Sequence, residues 1–169
     1  YYHAIGSTIV CRTDAYAAVS GMSRRKATED FYFLQELAKY KSVGIIEDAI
    51  VHPSARESDR VYLGTGFRMN QAKNGFDLNS LNYTDDSFAI LKDWIILGIG
   101  SRNISVKIIL SQSEKIHLEL PVFLKNEKIE SIWKGLQKSS PSEKHFEKQF
   151  HRWFDALKTF RLLKYFSTK

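Results

Sequence analysis

The chain has 169 residues, of which 43% are apolar, 26% charged and 13% aromatic. That profile fits a soluble globular protein of about one domain and excludes a disordered, collagen-like or membrane-spanning chain. The net charge of +6 is carried by residues 125–169, with 11 Lys/Arg against 5 Asp/Glu, while residues 1–124 hold 14 of each.

A lone cysteine, Cys11, excludes an internal disulfide framework and fits a reducing compartment. The first residues show no initiator Met, basic n-region or signal-peptide core. They run straight into an apolar pattern, as expected of a start in mid-domain.

Ser7-Thr-Ile-Val-Cys11 is apolar and β-branched and predicts a buried strand, with Cys11 as a buried, inert thiol. Ala15–Val19 predicts a short helix, capped by Thr13 or Asp14 and stopping near Ser20-Gly21. Thr28-Glu-Asp30 opens a second helix, with Thr28 as N-cap, and Phe31, Leu34, Leu37 and Ala38 form its apolar face. Gly44–Val51 reads as two short strand pieces ended by His52-Pro53. Residues 53–74 lack periodicity and predict a long, mobile loop.

The remainder reads as helical. Phe88–Leu97 is one helix, and Leu120–Leu136 is another with Pro121 in its first turn. Ser105–Leu110 fits a strand or part of a helix. After the break at Ser139-Ser-Pro-Ser142, Phe146, Phe150, Trp153, Phe154, Leu157 and Phe160 follow one helical face. With Lys144, Lys148, Arg152, Lys158, Arg161 and Lys164 nearby, that face suits core or partner packing, or a membrane-surface helix. Its spacing does not suit a base-stacking sheet, so nucleic acid is a disfavoured partner.

Taken in order, Gly6-Ser-Thr-Ile-Val-Cys-Arg12, Ala15-Tyr16, Val19-Ser-Gly21, Thr28-Glu-Asp30 and Asp48-Ala-Ile-Val-His52 resemble the acceptor half of a family-two glycosyltransferase catalytic domain. Arg56-Glu-Ser-Asp-Arg60 and Gly64-Thr-Gly66 resemble the loop that follows in some bacterial members. The resemblance spans about residues 3–70. It implies an α/β front of GT-A type over 1–75 and leaves 76–169 as a helical, basic C-terminal region. The sequence departs from the family at Ser20, where a Gly is usual. It also holds no Asp-x-Asp pair, which in the family lies in the preceding donor-binding half.

The activity implied is inverting transfer of a sugar from a nucleotide-sugar donor to a hydroxyl of a carbohydrate or lipid-linked acceptor. Such transfer needs a base at the acceptor hydroxyl, a role a carboxylate at a helix start suits. The resemblance makes Asp30 that base, with Glu29 beside it. It makes His52 a ligand for Mn²⁺ or Mg²⁺, and imidazole suits Mn²⁺ better. Arg56 and Arg60 would clamp the diphosphate by bidentate pairing. The setting implied is cytoplasmic, and the basic helices admit a peripheral place at the inner face of a membrane. Strands lacking parallel neighbours would favour a homodimer. The competing expectation is a non-catalytic basic module that binds nucleic acid or anionic lipid.

Overall fold

The computed structural model describes residues 8–25, 28–48, 51–52, 65–77 and 81–168. The chain divides into two compact units, Tyr1–Asn82 and Tyr83–Lys169. In the first unit the helices are α1 (Thr13–Ala18), α2 (Glu29–Tyr40) and α3 (Thr65–Lys73). The second holds α4 (Asp85–Ile99), α5 (Val106–Ile116), α6 (Leu120–Asn126), α7 (Ile129–Lys138), α8 (Glu143–Trp153) and α9 (Ala156–Ser167). No helix among the described residues is long and apolar enough to cross a membrane.

The expected α/β, GT-A-like front is overturned, because the described residues contain helices and no strand. Thr8–Cys11 and Gly44–Asp48 are irregular backbone and make no backbone hydrogen bonds among the described residues. A β-branched run favours extension locally, but a strand exists only when a neighbour supplies its ladder. Nor is the first segment buried: Val10 is 80% exposed, and Cys11 is exposed. The described end of the expected mobile loop is also helical, since Thr65–Lys73 is α3.

The first unit is organised by α2, which buries Phe33, Leu34, Gln35 and Leu37. The expected apolar face is turned by part of a helical step, leaving Phe31 and Ala38 half-buried. The ring of Tyr16 on α1 meets Phe33 edge-on at 5.6 Å. α1 ends in a Schellman arrangement, with Gly21 N–H donating to Tyr16 O at 2.8 Å and Ser20 N–H to Ala17 O at 3.0 Å. Neither Thr13 nor Asp14 caps α1; its N-cap is Arg12, whose Nε donates to Asp14 Oδ1 at 2.9 Å. α3 closes in the same way as α1, through Phe76 N–H to Gln71 O and Gly75 N–H to Ala72 O.

The second unit surrounds an aromatic core. Trp94, Trp133, Phe146 and Phe150 are fully buried, with Trp153 and Phe154 beside them. α4 packs on α5, α8 and α9, α5 packs on α6 and α7, and α7 packs on both α6 and α8. Side-chain oxygens of Thr84, Ser142 and Asp155 cap α4, α8 and α9. Ser105–Leu110, open between strand and helix in sequence, lies mostly in α5.

Two expected continuous helices are each broken. Leu120–Leu136 is interrupted at Lys128, whose φ of 63° is left-handed. The basic end is interrupted at Phe154, where Asp155 starts a fresh helix by accepting Lys158 N–H at 3.3 Å. Phe146, Phe150, Trp153 and Phe154 face the core, so of the alternatives left by the sequence this stripe takes the core-packing one.

Two substitutions follow from this packing. A Cβ at Gly98 would overlap the Phe150 ring edge, which is wholly buried and has nowhere to retreat. Gly98→Ala is expected to lower stability by about 1–3 kcal/mol by overpacking, despite alanine's better helix propensity; chemical denaturation measures this. Ser20 holds φ at 61°, a conformation glycine adopts without steric cost. Ser20→Gly is expected to raise the stability of the first unit by about 0.5–1 kcal/mol, read from the same titration.

Candidate functional site

Glu29 and Asp30 occupy the first turn of α2, where the unpaired N–H groups and the helix dipole favour negative charge. Both side chains are half-buried. Asp30 Oδ1 accepts the Phe31 N–H at 2.8 Å, and its second oxygen has no partner among the described residues. The residue before them, Thr28, has φ of 66° and makes no side-chain cap bond, contrary to the expected capping role. A β-branched residue in the left-handed region is strained, by roughly 1–3 kcal/mol. A strained residue therefore delivers the chain into the acidic turn. One turn further along α2, the guanidinium of Arg25 lies 3.8 Å from the centroid of the Tyr32 ring, a cation–π contact.

His52 is exposed, and among the described residues no hydrogen bond or ion pair joins it to Glu29 or Asp30. No three His, Cys, Asp or Glu side chains among the described residues are grouped to hold a metal ion. His52 is thus one candidate ligand, and the described residues do not complete a metal centre around it. Arg56 and Arg60 lie outside the described residues.

Beside α2 is an open groove of about 490 Å³. Leu34 and Leu37 line it together with Val10, Ile45 and Val51 from the irregular segments, and Arg12, Tyr40 and Asp48 add polar groups. Cys11 also lines it, whereas Glu29 and Asp30 do not. The groove and the acidic turn are separate features of the same helix.

A second recess, of about 530 Å³, lies in the second unit and went unread in the sequence. Asp86 and Asp93 from α4 face it, with His117, Glu119 and Phe166. Tyr165 Oη donates to Glu119 Oε2 at 3.1 Å, and His117 Nδ1 accepts the Glu119 N–H at 3.1 Å. That bond leaves the neutral imidazole proton on Nε2. The seven-residue spacing of Asp86 and Asp93 on one helical face was the available sequence signal.

No family model, curated protein or solved structure matches the chain.

Cys11 is expected to react with a maleimide in the native protein at a rate within a few-fold of that in denaturant, because its thiol lies at an open surface. Mass spectrometry over a time course measures it, and protection in the native state would contradict the exposure described.

Proposed function

We propose that the chain supplies the acceptor-side residues of an inverting sugar transfer from a nucleotide-sugar donor to an acceptor hydroxyl. The observation that carries this reading is the Glu29-Asp30 turn. Asp30 is held through one carboxylate oxygen, and the other meets no partner among the described residues, an arrangement that suits a general base. The ordered motifs from Gly6 to His52 support it from the sequence side; no sheet among the described residues supports it.

In this reading Asp30 takes the proton of the acceptor hydroxyl as that oxygen bonds to the anomeric carbon. The bond from the anomeric carbon to the diphosphate breaks, and the nucleoside diphosphate leaves with the electron pair. Glu29 orients the acceptor. Positive charge near the leaving diphosphate lowers the barrier, which is the role assigned to Arg56 and Arg60. His52 would supply one imidazole ligand to a divalent cation such as Mn²⁺ or Mg²⁺, whose charge would offset that of the phosphates. The acceptor is a carbohydrate or a lipid-linked sugar. The chain alone is expected to be inactive, since it holds no Asp-x-Asp pair for the donor.

The test is a radiolabelled sugar-nucleotide transfer assay on a polypeptide that carries this chain together with a donor-binding half. Asp30→Asn is expected to lower kcat by about 10²–10⁴-fold with the donor KM unchanged. An unchanged kcat would remove Asp30 from the chemistry and the proposal with it.

A further inference from the structure

Helix α5 is closed by His117 as its C-cap, and Glu119 is the N-cap of α6, so only Leu118 separates the two caps. Backbone bonds fix this turn. His117 N–H donates to Ser113 O at 3.1 Å, and Leu120 N–H donates to His117 O at 2.9 Å. Between them the Glu119 N–H donates to a side chain, His117 Nδ1, at 3.1 Å. Only an unprotonated Nδ1 offers the lone pair this bond needs. In the imidazolium both ring nitrogens carry protons, and Nδ1–H would face the Glu119 N–H, donor against donor.

The same imidazole is a wall of the second unit's recess. Asp86 and Asp93 line that recess from α4, Glu119 from the head of α6 and Phe166 from α9. Among the described residues no Lys or Arg lines it. The Phe166 and His117 rings meet edge-on at 4.8 Å. Glu119 Oε2 accepts the Tyr165 hydroxyl of α9. Asp86 and Asp93 are exposed and make no ion pair or side-chain hydrogen bond among the described residues. On α5 itself Glu114 and Lys115 are exposed and opposite in sign. A proton gained by His117 therefore removes its backbone partner and leaves a cation beside carboxylates.

We propose that His117 is a pH-operated clasp between the α5–α6 turn and α4. Neutral, it holds the turn through the Glu119 N–H. Protonated, its ring leaves that N–H and turns into the recess towards Asp86 and Asp93. A bond within the turn is thus exchanged for charge pairing with α4, and the recess becomes narrower and less negative. Each arrangement has its own partners, as a two-state element requires. The clasp is independent of the transfer chemistry proposed for Asp30.

Solution NMR of the isotope-labelled full chain at about pH 8 and about pH 5 tests it, an interval in which histidine is the side chain that ordinarily changes charge. At the higher pH a nitrogen–nitrogen coupling across the hydrogen bond should join Glu119 N to His117 Nδ1. At the lower pH that coupling should be lost, and the His117 ring protons should gain nuclear Overhauser contacts to the Asp86 or Asp93 side chain. His117→Asn places an oxygen acceptor near the position of Nδ1. Its Glu119 amide proton should therefore keep one chemical shift across the interval, while that of the parent chain moves. No coupling at the higher pH, a coupling that survives at the lower, or a ring still neutral there would overturn the proposal. So would an imidazolium without contacts to α4, or an equal movement of the Glu119 amide in His117→Asn.

Discussion

The second unit depends on the absence of a side chain at Gly98. The Phe150 ring lies against the backbone of α4 at that point. Around the same ring stand Trp94 at 5.7 Å, Trp153 at 5.9 Å, Phe154 at 6.0 Å and Trp133 at 6.3 Å between centroids. One ring thus joins α4, α7 and α8, mostly in the tilted and edge-on geometries that aromatic quadrupoles prefer. The loop between α4 and α5 is then fastened to α7. Trp133 Nε1 donates to Ile104 O at 3.1 Å, and Gln137 Nε2 donates to Arg102 O at 2.6 Å. These bonds give polar partners to backbone that the aromatic core would otherwise leave dry.

The first unit has a different economy. Its described core is little more than one face of α2, fixed to α1 by Tyr16 and Phe33. Tyr16 is used twice, because its ring also lies 2.8 Å from where a Cβ of Gly21 would stand. The irregular segments beside α2 leave Val10, Ile45 and Ile46 exposed. The acidic turn at Glu29 sits at the other end of that helix, where its charges favour the local backbone without a large surrounding core.

Most helices could be read from local sequence because their signals are local. The apolar spacing of Phe88, Leu91, Trp94 and Ile95 marked α4, and Thr28-Glu-Asp30 marked the start of α2. The breaks at Lys128 and Phe154 carry neither Gly nor Pro, so nothing announced them. They exist because Ile129 and Phe154 are wanted in the core. The β-branched run at Thr8–Cys11 misled for the opposite reason. It states a preference for extension, while a strand is a non-local fact that needs a partner. The same division governs the sites. Glu29 and Asp30 are neighbours in sequence, and their place in the first turn of α2 was legible. The recess of Asp86, His117, Glu119 and Phe166 draws on distant parts of the chain and was not.

The Thr84 N–H donates to the Ser167 hydroxyl at 3.0 Å, so the start of α4 and the end of α9 are side by side. A polypeptide unit whose two ends meet can be carried as a cassette, entering and leaving a host chain at nearly one point. It also follows that α4 lacks a main packing partner until α9 has been synthesised. The final helix of the unit thus completes the wall that its first helix began.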